Sequence, residues 1–117
     1  MKKQNRAKGD EGEEMATGYL MEKGYEIVER NFQTRFGEID IIARKDGILV
    51  FVEVKLKQGE EFGTPEEMYG FGKRQKVKRM AVMYLKGEEV KCRIDMIAIV
   101  VDPNDRVERL THYENVE

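Results

Sequence analysis

Glu38, Asp40, Glu53 and Lys55 are the residues whose types and spacing could do chemistry. They fall on two apolar runs, Phe36 to Ala43 and Ile48 to Val54, joined through Arg44-Lys45-Asp46-Gly47. Asp-Gly between apolar runs is a strong hairpin signal. A two-residue Asp46-Gly47 turn sets Lys45 opposite Ile48, Asp40 opposite Glu53 and Glu38 opposite Lys55. Side chains on a strand repeat every two residues, so all four would project from one face. Opposed carboxylates repel, a divalent cation relieves the repulsion, and hard oxygen ligands suit Mg²⁺. With Lys55 aimed at the same spot, such a group can position water, help deprotonate it and stabilise charge developing on a phosphate. That is the chemistry of phosphodiester hydrolysis. The ordinary alternative is a Glu38–Lys55 cross-strand ion pair with Asp40 and Glu53 on a solvated edge. The apolar run around Glu53 weighs against it, because a carboxylate in a covered strand needs a partner.

Two further groups could join the site. Glu13 lies beside Ala16 and Leu20 on a helical wheel, at the edge of an apolar stripe, and could reach a sheet-borne centre. Asp10 with Glu13 three residues later equally resembles a capping box. Between residues 73 and 86 six bases, Lys73, Arg74, Lys76, Lys78, Arg79 and Lys86, occur without an acid. They read as a phosphate-tracking face, with Lys73, Arg74 and Lys76 foremost, or as a solvated helix surface. His112, Cys92 and the methionines read as edge and core residues rather than ligands.

Positioning these groups requires a particular order of elements. Met15, Ala16, Tyr19 and Leu20 keep helical spacing from Glu13 to Lys23, with Gly24 at the stop. Strand formers follow over Tyr25 to Arg30, then the hairpin, whose second strand is apolar on both faces and so central. Lys57 to Gly72 is rich in glycine and glutamate and reads as a surface loop, with room for one short helical turn. Val77, Met80, Ala81 and Tyr84 give a second helix over Lys73 to Lys86. Arg93 to Val101 is a strongly apolar strand, Asp102-Pro103-Asn104-Asp105 turns, and Arg106 to Tyr113 adds an edge strand. Helix, three strands, helix and two strands predict an α/β or α+β domain with a mixed sheet.

The chain has 117 residues, room for one core, and divides into a flexible basic tail over 1–9 and a single domain over 10–117. Its 21 Lys and Arg against 23 Asp and Glu give a net charge of −2, which argues against a polybasic, histone-like binder. The charges are segregated: Lys2, Lys3, Arg6 and Lys8 precede Asp10, Glu11, Glu13 and Glu14. No run is long and apolar enough for a membrane span, and Met1 to Arg6 lacks the apolar core of a secretory signal, so a cytoplasmic protein is expected. One cysteine and one histidine disfavour an internal disulfide, a Cys-rich zinc site or a His-based triad.

Gly37-Glu38-Ile39-Asp40 followed by Phe51-Val52-Glu53-Val54-Lys55 resembles the PD-(D/E)xK nuclease signature. More closely, the chain resembles the YraN-like family of predicted endonucleases, which is similar to archaeal Holliday junction resolvases. Gly12-Glu13, Gly24-Tyr25, Arg30-Asn31, Phe62-Gly63 with Pro65, Lys73 with Lys76, Arg93 with Asp95, and Leu110 to Asn115 extend the resemblance over nearly the whole chain. Ile94 stands where the family usually has Phe, and Leu56 follows the lysine where a small polar or basic residue is common. The resemblance implies a restriction-endonuclease-like fold, a mixed central sheet flanked by helices. It implies that Glu13, Asp40 and Glu53 hold Mg²⁺ or Mn²⁺ and that Lys55 orients the nucleophile; the strand spacing sets Glu38 beside them.

A metal-dependent endonuclease acting on DNA, branched or otherwise structured, is therefore expected. The alternative is a nucleic-acid-binding module that keeps the fold without turnover. RNA is a third candidate, although no aromatic RNA-reading motif supports it. Paired cuts need two sites and one small domain supplies one, so a homodimer is expected.

Overall fold

The computed structural model describes the backbone of residues 2–116 and the side chains of 9–70 and 72–116. Helix α1 (Lys2–Glu22) leads into strands β1 (Glu26–Thr34), β2 (Gly37–Lys45) and β3 (Ile48–Gln58). A short 3₁₀ turn (Glu66–Met68) precedes α2 (Phe71–Leu85), and β4 (Cys92–Val101) and β5 (Val107–Tyr113) complete the chain. The element order matches the sequence expectation. α1 differs in starting well before its apolar stripe, in a stretch whose Lys, Gln, Arg and Ala have good helix propensity. The side chains of the expected 1–9 tail, apart from Gly9, lie outside the described residues.

The strands form one mixed sheet in the order β1-β2-β3-β4-β5, antiparallel except for the parallel β3–β4 pair, which α2 connects as a crossover. β3 is central, and Leu49 to Glu53 are all buried. Alternation divides the apolar residues between two cores. Val50, Val52, Ile97 and Ile99 pack beneath Ala16 and Leu20 of α1. Leu49, Phe51 and Ile94 pack against Val77, Met80 and Ala81 of α2. The result is an α/β sandwich with one helix on each face.

Local chemistry explains the joints. Asp46 and Gly47 both have positive φ (51° and 77°), as a two-residue hairpin turn matching strand twist requires. Gly24 (φ 91°) ends α1, and the Tyr25 N–H bonds the Leu20 carbonyl at 2.9 Å in a Schellman closure. Among the described residues no helix is long and apolar enough to cross a membrane.

Candidate functional site

The site lies where β2 and β3 part. Their ladder keeps the expected register from Lys45↔Ile48 to Ile41↔Val52 and ends there. Instead of forming the next rung with Glu53, Asp40 accepts the Val54 N–H on Oδ2 at 2.8 Å, so a carboxylate takes an amide that a neighbouring strand would bond. The pleat slips at the same point: Ile41 and Ala43 pack on the α1 core and Ile42 on the α2 core, yet Ile39 joins the α2 core as well. The expectation that Glu38, Asp40, Glu53 and Lys55 share one unbroken face is thereby corrected. Glu53 alternates with Val52 and faces α2 alongside Phe51, whereas Glu13 arrives from α1. Asp40 stands at the parting between them.

Glu13 is buried, and Gly12 lets it come close. A Cβ on Gly12 would sit 3.1 Å from Leu56 Cβ and 3.4 Å from Val54 Cγ1, so α1 lies against β3 at a point only glycine leaves clear. Since α1 begins at Lys2, Asp10 and Glu13 are interior to the helix, and the capping-box reading falls. Asn31 orients the carboxylates. Held at φ 55°, it donates through Nδ2 to Glu13 Oε1 (2.6 Å) and to Glu38 Oε1 (3.2 Å). Gln33 Nε2 donates to the other Glu38 oxygen. Arg30 pairs with Glu14 at 2.6 Å and approaches Glu13 at 3.7 Å. One oxygen from each of Glu13, Glu38 and Asp40 lies within 4.8 Å of the others, a spacing able to hold a metal ion.

The electrostatics run in one direction. Burial raises the Glu13 carboxyl above its usual range; Asp40 and Glu38 add to this, while Asn31 and Arg30 oppose it. Burial raises Asp40 too, against the Val54 N–H and Lys73. Glu53 is raised well above its usual range by burial and by Asp40, with Lys73 opposing. Its Oε1 is buried without a hydrogen-bond partner, and its Oε2 lies 3.4 Å from the Lys73 ammonium. Lys55 is exposed on the same cleft of about 230 Å³, whose walls include Glu13, Asp40, Glu53, Lys73 and Met68.

These residues fit a divalent cation. The donors are hard carboxylate oxygens drawn from three elements, one of them a buried orphan, and all three raised acids gain from a compensating positive charge. Glu13 and Asp40 belong both to the clustered trio with Glu38 and to the set expected with Glu53.

Of the three bases expected to track phosphate, Lys73 instead reaches into the cleft. Arg74 is half-buried and Lys76 exposed farther along α2. His112 and Asp95 form a separate buried network. Asp95 accepts from Arg93 Nε (3.0 Å), His112 Nε2 (2.8 Å) and the Asn115 N–H (3.0 Å), and Tyr19 OH lies 3.1 Å from His112 Nδ1. This network fastens α1, β4, β5 and the C-terminal segment to one another. Outside the cleft, Arg109 of β5 grips Glu66 through two bonds (2.7 and 2.8 Å) and Glu60 through one (3.1 Å). That grip ties down the loop that brings Met68 to the cleft wall.

Gly12 and Asn31 entered the sequence reading only within the family resemblance and without a role, and the placement of Lys73 in the cleft was missed. Apart from that resemblance, Asn31 reads as an interruption between strand segments, which the structure shows to be one continuous β1. Gly12, a glycine inside a helical pattern beside a candidate acid, was the clearest available signal of close approach.

The model of "Uncharacterised protein family UPF0102" matches residues 12–99, which include every acid of the cleft. A UPF0102 protein of Thermodesulfovibrio yellowstonii is 44% identical over 109 residues, 92% of each chain. Another, from Syntrophomonas wolfei, is 41% identical over 114 residues, 95% of this chain and 97% of its own. A third, from Nocardia farcinica, is 41% identical over 103 residues, 86% of this chain and 81% of its own.

Proposed function

The chain belongs to the uncharacterised protein family UPF0102, and for it we propose a metal-dependent endonuclease that hydrolyses phosphodiester bonds in DNA, branched or structured DNA in particular. The observation that carries this reading is the convergence of Glu13, Asp40 and Glu53 from three elements at the parting of β2 and β3, with Lys55 on the same cleft. A mixed sheet with a helix on each face supports the restriction-endonuclease-like reading.

In this reading Glu13, Asp40 and Glu53 hold Mg²⁺ or Mn²⁺, with Glu38 beside them. The ion supplies a Lewis acid that acidifies water and offsets charge on the phosphate. Asn31 holds Glu13 and Glu38 in place, and the Val54 N–H fixes one oxygen of Asp40, which lines the cleft. Lys55, exposed at the mouth, orients the attacking water and meets the phosphate. The water oxygen bonds to phosphorus and the bond to the leaving sugar oxygen breaks, while the water passes its proton to solvent and the leaving oxygen takes one up from solvent. Arg74 and Lys76 extend positive charge along α2 for the duplex backbone, and a second copy of the chain supplies the cut on the opposite strand.

The test is cleavage of labelled linear, nicked and four-way DNA with Mg²⁺ or Mn²⁺ by the wild type, Glu53→Ala and Lys55→Ala. The expected result is metal-dependent cleavage that falls on the order of 100-fold or more in each variant. Equal activity in all three refutes the assigned site. Salt-dependent binding without cleavage would replace the enzyme with a binding module.

A further inference from the structure

The first turn of α2 goes against helix electrostatics. Backbone N–H groups leave partial positive charge at a helix N-terminus, which favours acids and disfavours bases. α2 opens after Gly70, which provides no side-chain cap, has no acid in its first turn, and places Lys73 and Arg74 just inside. Local rules broken in this way are expected at functional positions. What compensates is on the sheet: the Lys73 ammonium lies 3.4 Å from Glu53 Oε2.

The two partners of this ion pair are unequal. The Glu53 side chain is 5% exposed and cannot follow its partner into solvent, whereas that of Lys73 is 47% exposed and can swing away on a flexible stem. The other Glu53 oxygen, Oε1, is buried without a hydrogen-bond partner and neighbours Asp40, so the carboxylate has capacity for a second cation but strong reason to be neutralised by one. Lys55 lines the same cleft from the strand, but among the described residues the ammonium within ion-pair distance of Glu53 is that of Lys73.

We propose that Lys73 is a positioning residue that competes with a divalent cation for Glu53, yielding the carboxylate when the ion binds and thereby freeing its ammonium for the anionic substrate. This rests on the metal-centre reading above. Lys73 balances the buried charge so that the acidic cleft folds without a metal, and it links occupancy of the centre to a new positive group facing the phosphate.

Competition predicts an outcome opposite to that of a simple supporting residue. Removing the Lys73 charge should strengthen metal binding while weakening turnover. The experiment is Mn²⁺ binding in the absence of nucleic acid, followed by the loss of the free-ion paramagnetic resonance signal, for wild type, Lys73→Met, Lys73→Arg and Lys55→Met, each shown to be folded by circular dichroism. A unit charge about 5 Å from a divalent ion is worth on the order of tenfold in affinity when screened as in bulk water. Lys73→Met should therefore bind Mn²⁺ about tenfold more tightly than wild type, Lys73→Arg should stay within about threefold, and Lys55→Met should change less than Lys73→Met. Equal or weaker binding by Lys73→Met, with wild type binding normally, overturns the competition and leaves the metal centre standing. Absence of Mn²⁺ binding by wild type and Lys73→Met alike overturns both.

Discussion

In Glu53→Gln the buried carboxylate becomes an amide of nearly the same shape, so the substitution separates charge from packing. The wild-type residue is buried, has one side-chain oxygen without a hydrogen-bond partner, and neighbours the Asp40 carboxylate. Leaving a buried acceptor unsatisfied costs about 1–3 kcal/mol, and a Gln amide can donate to Asp40. Against that gain stands the loss of the Lys73 ion pair, worth at most about 1 kcal/mol because the lysine is half exposed. The balance is a stabilisation of about 1–2 kcal/mol in EDTA, a rise in Tm of about 4–8 °C for a domain of this size. With Mg²⁺ in excess the order reverses. A ligand at 100 times its Kd stabilises the wild type by about 2.7 kcal/mol, whereas a centre lacking Glu53 gains little. Thermal melts of both proteins in EDTA and in Mg²⁺ measure all four numbers. If Glu53→Gln melts several degrees below wild type in EDTA, the carboxylate stabilises the fold, and the reasoning that it is held there for a cation is refuted.

Asp95 should contribute to the acid limb of stability. Burial would raise its carboxyl, but the bonds from His112, Arg93 and the Asn115 N–H outweigh it and hold the group below its usual value, so the stabilisation is present above about pH 4 and lost as pH falls through the folded-state value. Asp95→Asn should cost about 3–5 kcal/mol at pH 7 and flatten that acid slope in urea titrations; an unchanged slope would show the network to be incidental. Gly12→Ala adds a methyl 3.1 Å from Leu56 Cβ. It should leave stability within about 1 kcal/mol, as helix propensity offsets crowding, yet weaken Mn²⁺ binding by displacing Glu13; unchanged affinity would contradict the close approach. Arg109→Ala should speed hydrogen exchange over residues 60–70, with a stability loss of about 1 kcal/mol or less from this partly exposed pair. Protection equal to wild type would mean that the grip on Glu66 does not order the loop.

The sheet was legible because its signals are local. Asp46-Gly47 announced a hairpin whose register then followed, and the uninterrupted apolar run of β3 announced a strand covered on both faces. The helices were legible through their stripes, but the start of α1 was not, since the apolar residues that mark its stripe begin only at Met15. The acids were found by type, and their arrangement was misjudged. A regular pleat was assumed through Asp40, whereas its side chain takes the Val54 amide and the alternation slips there. Asn31 and Lys73 lay beyond sequence reasoning because their roles depend on contacts between elements. An asparagine at a left-handed position and a lysine in a first helical turn carry no sign of which carboxylate they will meet.

Anomalous diffraction from crystals grown with Mn²⁺ tests the central claim most directly. The account predicts one or more peaks in the cleft at the parting of β2 and β3, coordinated by Asp40 and Glu53 with Glu13 completing the set, the Lys73 ammonium displaced from Glu53, and Lys55 alongside. Peaks confined to sites away from these carboxylates, with the Lys73–Glu53 pair intact, would contradict it.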